Sequence, residues 1–126
     1  MILRRLITHI GGATAVEFAL TAPVFFAIVF GLIDSGLLLW TQLGLQHATE
    51  LAARCASVNK TICADTTAIQ TYASTQVFGM TVPTSVFTVS QLACGNRVTA
   101  SFDFGLIGGF FGTPLITLNA AACFPK

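Results

Sequence analysis

From Phe18 to Ile33 the chain carries no charged side chain, and the apolar run continues past Asp34 to Trp40. As a helix, Ala19 to Trp40 measures roughly 33 Å, about one bilayer core. Beyond Trp40 the helical pattern continues in another style. Leu43, His47, Leu51, Cys55 and Val58 recur at three- and four-residue steps and predict the packed face of an amphipathic continuation. One helix is therefore expected over 13–58, its first half in lipid (about 19–40) and its second half in water. Glu50 and Arg54 stand in the favourable i,i+4 order. Pro23 is expected to kink this helix or loosen one turn, and Gly31 and Gly36 permit close approach of another helix.

Asn59 to Ala64 reads as a turn. A second helix is expected from Thr66 to Phe78, with Asp65 as N-cap, Gly79 as stop, and Ile69, Tyr72, Ala73 and Val77 on its apolar face. The period then changes to two. Val86–Leu92, Arg97–Phe104 and Leu115–Phe124 read as strands, with turn chemistry at Cys94-Gly95-Asn96 between the first two. Val98, Ala100, Phe102 and Phe104 share one face of the middle strand. The predicted class is α+β: a long N-terminal transmembrane helix running into a small domain (59–126) with a second helix and a three-stranded antiparallel sheet. Gly105 to Gly112 forms a glycine-rich apolar stretch, read as a loop folded over the small core or as a sticky patch for another subunit or the outer leaflet.

Composition sharpens the picture. Hydrophobic residues are 54% of the chain and charged residues 9%, against roughly 25% charged in soluble domains. Net charge is +1, so no basic surface for nucleic acid exists. Residues 1–12 hold Arg4 and Arg5 and no acid, which by the positive-inside rule keeps this end cytoplasmic and sends the rest outside. Trp40 falls where an interfacial anchor belongs.

All four cysteines follow the apolar run, and an even count in a small extracytoplasmic domain reads as disulfides. Four cysteines allow three connectivities. The expected pairing is Cys55–Cys63 across the first turn and Cys94–Cys123 between the hairpin and the last strand, with Cys63–Cys94 an alternative that spacing does not exclude. No metal, cofactor or small-molecule substrate is expected: paired metal ligands are lacking, and no Ser/His/Asp, Cys/His or carboxylate pair has usable spacing. His47 reads as a packing residue. Asp34 lies roughly 24 Å beyond Phe18, near the outer interface, where it either meets a partner helix or reaches toward water.

One short motif introduces the apolar run: Gly12-Ala13-Thr14-Ala15-Val16-Glu17-Phe18. It resembles the processing site of type IV pilin-like precursors. These are cut after a glycine, and the fifth residue of the mature chain is glutamate. Gly12 matches the residue before the cut, Ala13 the new first residue, Glu17 the fifth position and Phe18 the sixth. The wider run from Gly12 through Glu17-Phe18-Ala19-Leu20, Pro23 and Gly31-Leu32-Ile33-Asp34-Ser35-Gly36 to Arg54 is similar to the TadE family, pseudopilins of the tight-adherence (Tad/Flp) pilus system. The cysteine-bearing remainder fits that family only loosely.

The resemblance implies a structural component rather than an enzyme. It would be a single-pass protein of the bacterial inner membrane with a periplasmic C-terminal domain, acting in pilus assembly and cell adhesion. Its partners would be the membrane, a prepilin peptidase, other pseudopilins and pilus-assembly proteins, with Pro23, Gly31, Asp34 and Gly36 contacting partner helices. The residues suit the role. Glycine lets the backbone enter a narrow protease site, and cutting there removes Arg4 and Arg5. Glu17 is then a lone acid at membrane depth, which needs a partner. The freed Ala13 amine of a neighbour, or of the same chain one turn away, supplies one. The alternative is a secreted disulfide-rich binding domain freed by signal peptidase, which needs a shorter apolar core and an Ala-x-Ala-like site. A thiol enzyme is a third class, but no C-x-x-C pair supports it.

Overall fold

The computed structural model describes residues 11–106 and 115–126. The leader with Arg4, Arg5 and His9, and residues 107–114 of the glycine-rich stretch, lie outside the described residues.

Helix α1 spans Gly11–Val58 as one element of 48 residues, about 72 Å long. It continues unbroken through Pro23. Before Asp34 no described side chain is buried, and the stretch from Gly12 to Ile33 covers about 33 Å. Its hydroxyls are returned to its own backbone. Thr21 Oγ1 donates to Glu17 O at 3.0 Å and Ser35 Oγ to Gly31 O at 2.7 Å. Such back-bonding satisfies the hydroxyl within the helix itself.

From Asp34 onward one face of α1 is covered. Of the expected face only Cys55 is buried: Leu43 and Val58 are 63% and 69% exposed, and His47 and Leu51 are only half-buried. The buried rows are Gly44, Ala48, Ala52 and Ala56 at four-residue steps, and beside them Thr41, Leu45, Thr49 and Ala53. Large apolar residues marked the expected face, whereas close packing against a sheet selects small ones. The outer face is solvated. Glu50 there accepts from Gln46 Nε2 at 3.1 Å instead of from Arg54.

At the end of α1, Lys60 Nζ donates to Ala56 O (2.8 Å), as a cation at a helix C-terminus should. Asn59 Oδ1 accepts from the backbone N–H of Thr61 and Ile62 and tightens the turn. The Cys55–Cys63 disulfide spans this turn, with Cα atoms 5.9 Å apart. Helix α2 covers Thr66–Thr75, and Asp65 caps it by accepting from Ala68 N at 2.7 Å. It stops three residues before the expected end. Val77 turns into the core beside Gly44, and Gly79, at φ +76°, allows Met80 N to reach Val77 O at 2.7 Å.

A short 3₁₀ turn at Thr84–Val86, not expected from the pattern, leads into β1 (Phe87–Leu92). Strands β2 (Gly95–Gly105) and β3 (Leu115–Phe124) follow in an antiparallel sheet of order β1-β2-β3. Leu92 pairs with Gly95, so the hairpin turn is Ala93-Cys94, one residue earlier than expected, and Asn96 is already strand. A side chain at Gly95 (φ +121°) would meet the Phe124 carbonyl. The second disulfide, Cys94–Cys123, ties this turn to β3 with Cα atoms 6.2 Å apart.

Val98, Ala100, Leu118 and Ala120 face α1, while Phe87, Ile69, Ala73 and Val82 close the core toward α2. Phe102 and Phe104 continue the same face, half-buried. Buried Asn96 donates to Ser57 Oγ at 2.9 Å, and that hydroxyl lies 3.3 Å from Phe124 O, linking the helix end to both long strands. Each outer strand is met by a glutamine from a helix: Gln42 Nε2 donates to Asn119 O (2.9 Å) and Gln70 Nε2 to Phe87 O (2.7 Å).

Two stability experiments test this packing, both by unfolding the full chain in micelles. A52L, overpacking the helix–sheet contact, lowers stability by about 1–3 kcal/mol, whereas L43S on the open face changes it by less than about 0.5 kcal/mol. Equal effects would mean the buried face is misassigned. Loop-closure entropy ranks the disulfides: replacing both cysteines by serine costs about 2.5 kcal/mol for the 8-residue separation of Cys55–Cys63 and about 3.6 kcal/mol for the 29-residue separation of Cys94–Cys123.

Candidate functional site

The processing and helix-contact residues singled out in the sequence all lie on α1, but the structure sorts them into two groups. Gly12, Glu17 and Phe18 occupy its first turns and are exposed, Phe18 at 70%. Ala13 and Glu17 sit four residues apart on this helix, one turn of spacing. Pro23, Gly31 and Gly36 are exposed as well, and a Cβ added at Gly31 or Gly36 would meet nothing of this chain. Phe25, Phe26 and Phe30 form an exposed aromatic ridge beside them, ring centroids 5.7 and 6.2 Å apart. This bare surface, apolar and interrupted by glycines, is suited to lipid or to other helices.

Asp34 stands apart. Only 8% of it is exposed, and it is the first buried residue along the helix. The directions of α1 and β3 explain its position. Gln42 reaches Asn119, and Ser57 reaches Phe124, so β3 runs the same way as α1. Asp34 therefore lies level with the first residues of β3, where the bare part of the helix gives way to the domain. A carboxylate at that depth is costly unless it is shielded and bonded.

Sequence reasoning missed an aromatic cluster at the same end. Phe78, thrown outward by the Val77–Met80 turn, lies between Trp40 and His47, with ring centroids 5.6 Å and 4.8 Å away. Thr41 Oγ1 points to the Met80 sulfur at 3.7 Å and to Leu37 O at 2.8 Å. The early stop of α2 created this cluster, and the only sequence signal for it was Gly79. All four cysteines are held in the two bridges. Among the described residues, shallow surface grooves run along α2 between Ile62 and Thr75 and over the open sheet face near Arg97 and Thr99.

The bare apolar helix, its shielded acid and its covered second half make α1 the feature to compare with known proteins. Residues 12–54 match the family model described as TadE-like protein. Over that stretch the helix is similar to TadE-like proteins. The match falls within α1, from the glycine of the processing-like motif to the solvated Arg54, and leaves α2 and the sheet outside it. No curated protein and no solved structure matches the chain. The TadE-like similarity thus rests on the helix and suggests a component associated with the Tad pilus; that helix is apolar and long enough near its N-terminus to cross a membrane.

Asp34 offers a direct check of the junction. D34R puts a larger cation into a position with room for a shielded carboxylate. It should lower stability in micelles by more than about 2 kcal/mol, while the exposed G36A changes it little. An unaltered melting midpoint for D34R would show that the junction is open.

Proposed function

We propose that this chain is a minor pseudopilin-like structural subunit of Tad/Flp pilus assembly in the bacterial inner membrane, cut by a prepilin peptidase after Gly12. The observation that carries this reading is the division of α1. One uninterrupted helix offers a bare apolar length of about 33 Å and then becomes the backbone of a folded domain. A signal peptide removed by signal peptidase would end before such a domain begins. Here no break separates the apolar half from the packed half, so the anchor is part of the mature fold.

The steps follow from the residues. Arg4 and Arg5 hold the leader on the cytoplasmic side. The peptidase reaches the Gly12–Ala13 bond at the membrane edge, where glycine spares it a side chain, and hydrolysis leaves a free amine on Ala13. That amine and the Glu17 carboxylate are opposite charges at a depth where neither is stable alone. Pairing between neighbouring subunits sets the axial stagger of packed helices, and Pro23, Gly31 and Gly36 let those helices approach. The disulfide-bearing domain stays in the periplasm, where its outer surface selects partner subunits.

The mature N-terminus tests this. Co-expressed with the peptidase, the chain should begin at Ala13 by N-terminal sequencing, and G12L should keep its original start. E17L should still be cut but should fail to co-purify with other pseudopilins. A wild-type chain that retains its leader in the presence of active peptidase would overturn the processing.

A further inference from the structure

Two apolar lobes flank α1 where its bare stretch meets the domain. On one side Trp40 (54% exposed) and Phe78 (44%) lie ring against ring, with Leu43 exposed next to them. On the other side β3 opens with Leu115 (64%) and Ile116 (38%). Their heights along the helix follow from contacts already described. Leu115 precedes Asn119 by about 13 Å of strand, and Gln42 marks the height of Asn119 on α1. The same distance back along the helix reaches the level of Asp34. Phe78 sits beside Gly44, whose added Cβ would be 3.4 Å from its ring, about 6 Å above Trp40.

The bilayer's dimensions match these heights. A bare stretch ending at Ile33 and an aromatic anchor at Trp40 bracket the edge of the hydrocarbon. Beyond that edge the headgroup layer is about 5–7 Å deep. Leu115 and Ile116 then fall at the acyl boundary, and Phe78 falls within the headgroup layer, where aromatic rings are favoured. The polar groups mark the same limit. Asp34, at the depth of Leu115, is buried. The first exposed charge on the sheet side is Asp103, which accepts from Thr117 at 2.7 Å, about 7 Å above Leu115. On the other side His47 stacks on the far face of Phe78.

We propose that the lower end of the domain is itself a membrane-binding surface, seated in the outer leaflet through Trp40 and Phe78 on one side of the helix and Leu115 and Ile116 on the other. The proposal rests on α1 being a membrane span. One helix alone leaves the tilt of its domain unset. Two lipid contacts on opposite sides of that helix set it, and so hold the solvated face of α1 and the open sheet face at a defined angle to the membrane.

Trp40 is the chain's single tryptophan, so the reporter can be moved. The full chain, W40F/F78W and W40F/L115W are reconstituted singly in phosphatidylcholine nanodiscs. Tryptophan emission is then read with lipids brominated near the headgroup or near the bilayer centre, and with aqueous iodide. In all three the emission should be lost more strongly to the shallow bromines than to the deep ones, and iodide should quench weakly. Should W40F/F78W fail to fold, the wild-type and L115 reporters carry the reading. Reporters quenched by iodide and untouched by bromine overturn the seating, as do reporters protected from both, which would mean that protein covers the lobes. Carbonate extraction reads the span separately. A chain retained by the membrane while its reporters answer only to iodide sinks the seating alone, and a chain released by carbonate sinks the span and the seating with it.

Discussion

Helix α1 can belong to two environments because the face it turns to the sheet is almost flat. Gly44, Ala48, Ala52 and Ala56 bring little apolar area of their own. What they bring is proximity: the sheet can approach the helix backbone, and Val98, Leu118 and Phe87 supply the volume from the other side. Because bulky residues on α1 are not needed for the core, they are free for its bare half, where Phe25, Phe26, Phe30 and Leu32 face outward. Leu45 is the one large residue of α1 that the core takes up completely. Bound this tightly, the second half of α1 cannot slide or turn against the domain, and the first half projects from it at a fixed angle.

Much of the architecture was legible because its periods are clean. The unbroken apolar run, the N-cap at Asp65 and the alternation from Arg97 to Phe104 each report one local geometry, and the structure carries helix, helix and three strands in that order. What could not be read was which side of α1 is inside. Hydrophobic periodicity weights Leu43 and Val58 above Ala48 and Ala52, but a close helix–sheet contact reverses that weighting. The early end of α2 was hidden for a related reason. Val77 continues a helical pattern, yet its side chain is needed at Gly44, so the backbone leaves the helix to deliver it.

The candidate site shows the same division. Gly12, Glu17 and Phe18 could be found because a short motif abuts a long apolar segment, and position alone gives it meaning. The TadE-like match covers that part of the chain. Asp34 could be located along the helix but not in its surroundings, because its level relative to the domain follows from a strand some eighty residues later in the chain, whose direction only the contacts of Gln42 and Ser57 reveal. The Trp40–Phe78–His47 stack had no sequence signature, since it unites two elements through a turn whose position was itself misplaced.

The two glutamines at the sheet's margins have a wider consequence. Three strands are few, and an open sheet this small invites foreign strands to extend it. Gln42 and Gln70 fill a hydrogen-bonding position on each margin from a helix of the same chain. That discourages copies of the chain from joining through their backbones wherever they meet. Contacts between copies are then left to side chains, which sequence can vary freely, so that the choice of neighbour remains open to selection while the fold beneath it stays constant.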